Sequence, residues 1–270
     1  MNELYKKRKP FMQSTNNTVP ARWMVSCLLN ELIELMFPVL SDGQCRESEK
    51  DIDQVRESLE KVLHSYDNGQ TDVAGLADDF LDGLPAVHDS LVMDAEAICA
   101  GDPAATTIDE VVVSYPGFYA VLVYRLSHSL YKLGVPIIPR MMAEMSHSRT
   151  GIDIHPAAEI GESFCVDHGT GVVIGETATI GNSVKIYQGV TLGALSVNKK
   201  DAGIKRHPSI EDNVIIYSGS TILGGRTTVG HHSVIGGNVW LTNSVKPYSY
   251  VVNLSEVRTR DNSPGETPEP

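Results

Sequence analysis

A branched apolar residue returns at every sixth position between Ile154 and Leu241, a period that belongs to neither a helix nor an ordinary strand. The first run is Ile154, Ile160, Val166, Ile174, Ile180, Ile186 and Leu192; the second is Ile210, Ile216, Ile222, Val229, Ile235 and Leu241. Four positions after many anchors stands a second small or apolar residue, as at Ala158, Ala178, Val184, Val190, Val214, Ser220, Ser233 and Val239. This rhythm specifies a parallel β-helix, in which short strands form the flat sides of a prism and each sixth residue points inward. β-Branched anchors suit such strands. One rung cannot bury its apolar interior alone, so the core comes from stacking.

The breaks in the rhythm carry information of their own. Between Val166 and Ile174 the step is eight, which inserts two residues within Asp167-His168-Gly169-Thr170-Gly171. Between Leu192 and Ile210 it stops altogether, predicting a protruding loop over 193–206 with Lys199, Lys200 and Lys205 in or beside it. One further residue is inserted between Ile222 and Val229. Loops carried on a rigid repeat are where ligands are usually met.

Ahead of the prism the periodicity is helical. Trp23, Met24, Cys27, Leu28, Leu32 and Leu35 repeat along one helix up to Pro38, with a break at Ser41-Asp42-Gly43. Ile52, Val55, Leu59, Val62 and Leu63 mark a second helix. Residues 71–100 predict a third helical region, interrupted near Gly83-Leu84-Pro85. Asp102-Pro103 reads as an N-cap with proline in the first turn. Helices over Phe118–Leu133 and from Pro139 to about Ser148 complete the half. The expected fold class is therefore α+β: a mobile tail over 1–20, a helical domain over 21–150, a β-helix over 151–245 and a C-terminal tail over 246–270.

Composition narrows the function classes. Residues 41–110 hold 18 Asp and Glu against 4 Lys and Arg, so the formal charge of −12 belongs to one acidic segment. That argues against nucleic acid and anionic membranes as partners. Cys27, Cys45, Cys99 and Cys165 have no paired spacing, which predicts reduced thiols and a cytoplasmic setting. No run approaches the length of a membrane span.

Three departures from the rhythm coincide with ionisable residues, in "GIDIHPAAEIG", in "DHGTGVVIGETATIG" and in "RHPSI". With "QGVTLG", these stretches make the chain resemble the bacterial and plant serine O-acetyltransferases from about residue 90 to Leu241. The resemblance implies a left-handed prism, an exception to the usual crossover rule. It also implies acetyl transfer from acetyl-CoA to L-serine, giving O-acetylserine for cysteine synthesis, without a metal.

Residue roles follow from the same resemblance. His168 matches the general base that takes the serine proton, and Asp153 the carboxylate that orients it. Arg206 and His207 match the groups that hold the substrate carboxylate, and Asp102 and Asp167 those that hold its ammonium. Acetyl-CoA would lie along the prism near Gly193, Ala194, Ser218 and Gly219. Relatives of this kind are homo-trimers or hexamers, and in many of them L-cysteine inhibits. The chain ends Thr-Pro-Glu-Pro, whereas members that dock into O-acetylserine sulfhydrylase end in isoleucine, so a stable complex with that enzyme is not expected.

Three other readings stay open on sequence alone. A γ-type carbonic anhydrase uses the same prism with three histidines on zinc, but His155, His168 and His207 lack that spacing. A non-catalytic scaffold leaves the Asp-His and Arg-His pairs unexplained. An acetyltransferase for another hydroxyl acceptor keeps the chemistry and changes the substrate.

Overall fold

A computed structural model of the chain describes residues 19–40, 49–66, 72–195 and 203–254, with Glu3 and Lys7. The expectations for most of the N-terminal tail, for the break at Ser41-Asp42-Gly43, for Lys199 and Lys200, and for the end of the chain lie outside these residues.

The hexapeptide anchors become three stacked parallel sheets, the sides of a left-handed prism of about five turns. The first sheet runs β1 (Asp153–Ile154), β4 (Val173–Ile174), β7 (Thr191–Gly193), β10 (Thr221–Leu223) and β13 (Trp240–Leu241). The second runs β2 (Glu159–Ile160), β5 (Thr179–Ile180), β8 (Ser209–Ile210) and β11 (Thr228–Val229). The third runs β3 (Cys165–Asp167), β6 (Lys185–Tyr187), β9 (Ile215–Ile216), β12 (Val234–Ile235) and β14 (Tyr250–Val251). Register stacks anchor on anchor: Ile154 beside Ile174, Ile174 beside Leu192, Leu192 beside Ile222, and Ile222 beside Leu241. The ladder keeps its register on either side of both the two-residue insertion and the long loop: Ile154 still meets Ile174, and Ile180 still meets Ile210. The last strand lies beyond the expected boundary at 245, since Val234 and Ile235 still offer an edge on which Tyr250 and Val251 pair.

Six α-helices and one short 3-10 turn precede the prism among the described residues: α1 (Arg22–Met36), α2 (Glu49–His64), α3 (Val73–Gly101), α4 (Ile108–Ser114), α5 (Pro116–Lys132) and α6 (Ile138–Thr150). The interruption expected near Pro85 does not occur. α3 passes through it as one helix of 29 residues, because Ala77, Phe80, Leu84, Leu91, Ala95 and Ile98 keep one buried stripe on both sides of the proline. Burial of that stripe outweighs the roughly 3 kcal/mol that proline costs in a helix interior. Among the described residues no helix is long and apolar enough to cross a membrane.

The helices are welded to the prism by polar as well as apolar contacts. Asp94 of α3 is fully buried and receives Arg125 of α5 at 2.8 Å and the Phe164 amide at 2.8 Å, while Arg125 also donates to Gly161 O. Burial pushes the Asp94 carboxyl up and the Arg125 guanidinium pulls it back. Removing one partner of such a pair costs on the order of 3–5 kcal/mol. Tyr124 donates to Ala158 O at 2.6 Å, and Gly117 lies so close to β3 that an added Cβ would meet Val166 O at 2.1 Å. Only glycine lets α5 sit there. This docking delivers the end of α3 to the β3–β4 corner.

Candidate functional site

Two groups of ionisable residues border the first sheet, one at each of its edges. The first occupies the corner between β3 and β4. His168 adopts φ 58° there, in the left-handed region that a non-glycine residue enters only at a cost, and its side chain is 73% exposed. Its Nε2 lies 3.8 Å from Asp167 Oδ1. Asp102 arrives from the far end of α3, and its carboxylate is within reach of the charges of both Lys185 and His168.

Asp102 is not an N-cap, as its Pro103 neighbour had implied. It terminates α3, and its Oδ1 accepts the Ala104 amide at 2.9 Å in a local turn, while α4 begins later behind a Thr107 cap. Its Oδ2 accepts the Tyr115 hydroxyl at 2.7 Å. The Ala104 amide first, then the Tyr115 hydroxyl, hold the Asp102 carboxyl below its ordinary range, and the Tyr115 phenol is pushed up to about 12 by the same bond. Asp167 is buried and pairs through Oδ2 with Lys185 Nζ at 2.9 Å. Cys165 lies on the same strand with its thiol pushed up to about 12 by burial, so it carries no thiolate near neutral pH.

The second group lies where the first sheet turns into the second. Thr177 organises it: its amide donates to His207 Nδ1 at 3.0 Å, and its hydroxyl oxygen accepts the amides of Arg206 and His207 at 2.9 and 3.1 Å. Gly175 lets the His207 ring lie on the backbone, since a Cβ there would meet the ring at 2.1 Å. His207 is buried, and burial with the Arg206 charge pushes its pKa down to about 4. The ring is therefore neutral near pH 7; with Nδ1 accepting, its proton sits on Nε2. Arg206 pairs with Glu176, whose carboxyl that contact holds low, yet the Arg206 Nη1 atom is buried with no hydrogen-bond partner among the described residues.

Asp153 belongs electrostatically to this second group. Its ionic partner is Arg140 at 3.4 Å, and its charge reaches His155. Among the described residues no hydrogen bond or ion pair joins it to His168. His155 shapes its own turn, Nδ1 accepting the Ala157 amide at 3.1 Å.

The small residues divide between the same two edges. Ser218 and Gly219 form the corner ahead of β10, Gly219 at φ 72° and solvent-exposed. Gly193 ends β7 at the opposite edge, beside Leu223, and Ala194 follows it. Beyond them a cavity of about 490 Å³ is lined by Leu195, Ile204 and the cations Lys205, Arg206 and Arg226. Lys205 is tied to the prism through Thr177 O at 2.8 Å. Glu144, His147 and Asp153 also converge as potential metal ligands, but Arg140 already ion-pairs with two of them.

Sequence reasoning passed over Lys185, Tyr115, Thr177 and Glu176. For Lys185 a signal existed: adding one prism turn and the two inserted residues to Cys165 puts Lys185 beside it, two places from Asp167 on the same outward face. The others lie in turns whose side-chain directions the six-residue count does not fix.

No family model matches the chain. A curated relative, the plasmid serine acetyltransferase of Synechococcus elongatus, is 55% identical over 177 residues, which are 64% of this chain and 55% of that protein. The match thus spans about half of that relative's length. The serine acetyltransferase of Staphylococcus xylosus is 45% identical over 161 residues, 60% of this chain and 72% of that one. Among solved structures, Entamoeba histolytica serine acetyltransferase 1 in complex with L-cysteine superposes with a TM-score of 0.76 at 38% identity, covering 83% of this chain and 86% of the other.

Proposed function

The chain belongs to the serine acetyltransferase family, and on that premise we propose that it transfers the acetyl group of acetyl-CoA to the hydroxyl of L-serine. The observation that carries this reading is the meeting of Asp102 from the helical half with Asp167 and His168 at one exposed corner. Two carboxylates there offer a seat for the substrate ammonium. The exposed imidazole supplies a base for its hydroxyl.

In the proposed mechanism Arg206, with one guanidinium nitrogen unpartnered among the described residues, and His207, with its Nε2 proton, take the substrate carboxylate. His168 accepts the hydroxyl proton as the serine oxygen attacks the thioester carbonyl. The tetrahedral intermediate collapses to the ester, and the departing thiolate recovers the proton from His168. Asp153 would orient the base once its contact with Arg140 opens. The pantetheine arm would lie on the small residues Ser218, Gly219, Gly193 and Ala194, and the nucleotide phosphates near Lys205 and Arg226.

One serine held at both ends needs both edges of the first sheet, and no contact among the described residues links the two groups within a chain. We therefore assign the site to an interface between copies, in a trimer or a pair of trimers, with each neighbour supplying one edge. L-cysteine differs from serine by one atom and would occupy the same seat as an inhibitor, as the Entamoeba complex suggests.

The test is thiol release from acetyl-CoA with L-serine, beside a panel of other amino acids and sugars. Serine-dependent release that falls at least a hundredfold in His168→Ala, with the fold intact by circular dichroism, is the expected result. Release with a different acceptor would move the substrate. Release unchanged in the mutant would remove His168 as the base.

A further inference from the structure

The ammonium of Lys185 sits between the two halves of the molecule. It donates to the carbonyl of Gly101, the last residue of α3, at 2.6 Å and to Asp167 Oδ2 at 2.9 Å, and it lies 4.6 Å from the centre of the Tyr187 ring. Its side chain is 15% exposed. A lysine at a helix C-terminus is well placed, because the unpaired carbonyls there carry partial negative charge. Here it also neutralises a carboxylate whose other oxygen faces His168.

We propose that Lys185 is a positioning residue for the acetyl-transfer site: it fixes the end of α3, and so Asp102, against β3, and it keeps Asp167 paired so that His168 works beside a neutralised carboxylate. This inference rests on the reading of His168 as the base. Asp167 at the end of β3 lies 3.8 Å from the His168 ring, Asp102 at the end of α3 is within reach of the charges of both His168 and Lys185, and Lys185 on β6 pairs with Asp167, with Tyr115 just after α4 bonded to Asp102. Two of these are negative and one positive. Without Lys185 the imidazole faces two carboxylates with no cation between them, and its protonated form, useless as a base, gains. The buried ammonium stays charged: burial opposes it, but its contacts with Tyr187 and Asp167 hold its pKa above the ordinary lysine range.

A consequence concerns the substrate ammonium. Asp167 already spends Oδ2 on Lys185, so Asp102 and the Asp167 Oδ1 beside His168 form the ammonium seat together. Loss of Lys185 should therefore weaken serine binding through a displaced Asp102 as well as through the base.

The experiment follows the His168 ring by NMR across pH 4.5–9 in the full chain, assigned with His168→Ala, alongside the pH profile of serine-dependent thiol release. In Lys185→Met the ring's titration midpoint should move up by roughly half to one pH unit, and the acidic limb of kcat/KM should move with it. Lys185→Arg should restore most of the shift. The double variant Lys185→Met with Asp167→Asn removes both charges and should return the midpoint to near the wild-type value, which a purely structural role would not do. A midpoint unmoved in Lys185→Met, or moved equally in the double variant, overturns the proposal. The NMR titration does not depend on turnover, so absence of serine acetylation with the shift present would sink the functional reading and leave only the electrostatic hold of Lys185 on His168, whereas acetylation present with the midpoint unmoved would sink the role of Lys185 alone. If Lys185→Met fails to fold, Asp167→Asn alone must lower the midpoint, and an unchanged value there overturns the proposal too.

Discussion

The two edges of the first sheet each carry a histidine, and the two are built as opposites. His168 is exposed in a strained corner, with the Asp167 carboxylate 3.8 Å from its Nε2 and both ring nitrogens open to an incoming group. His207 is buried on Gly175, with Nδ1 committed to the Thr177 amide and a pKa pushed down to about 4. One ring is open to solvent and the other is held neutral by its surroundings. The difference teaches that burial and hydrogen-bond direction, more than residue type, separate a candidate base from a neutral hydrogen-bond donor.

The sharpest way to break this comparison is to remove one function from each edge. His168→Asn should lower kcat by on the order of a thousandfold and leave the serine KM within a fewfold. Arg206→Ala should instead raise the serine KM by roughly a hundredfold, the scale of a lost charge-assisted carboxylate contact, with a smaller change in kcat. Steady-state kinetics on the two variants distinguish them. Equal effects on kcat would mean that the two edges do not divide the labour.

A smaller effect appears in stability. Because the folded His207 resists protonation, the unfolded chain binds one proton more than the folded chain as pH falls from about 6.5 to about 4. Stability is therefore unaffected by this group above about pH 6.5 and declines through that window, by on the order of 3 kcal/mol in total. In His207→Asn that part of the decline should vanish, seen as a flatter plot of urea midpoint against pH between 6.5 and 4. An unchanged slope would show that His207 titrates as freely in the folded state as in the unfolded one.

Much of this arrangement could be read from residue order. The six-residue period located thirteen anchors, and the register pairs them rung upon rung, because an inward side chain in a prism has nowhere else to go. The departures from that period led to His168 and to Arg206-His207 for the same reason: whatever does not fit the ladder is extruded. What could not be read was how distant pieces meet. Local propensity interrupted the 71–100 helix near Pro85 and made Asp102 a cap, whereas a buried stripe carries one helix through to Gly101 and brings Asp102 within reach of Lys185 and His168. The partners Lys185, Tyr115 and Thr177 are set by helix docking and corner geometry, and neither leaves a periodic trace.

The measurement that tests the account most directly is complementation between two inactive chains. His168→Ala and Arg206→Ala proteins are unfolded together, mixed in equal amounts, refolded and assayed for serine-dependent thiol release beside each parent treated alone. If neighbouring chains each supply one edge, random reassembly rebuilds about a quarter of the sites intact, and activity should return to about that fraction of refolded wild type. Activity in the mixture no higher than in either parent, with mixed assemblies present by mass spectrometry, would contradict the shared site and place both edges' work within a single chain.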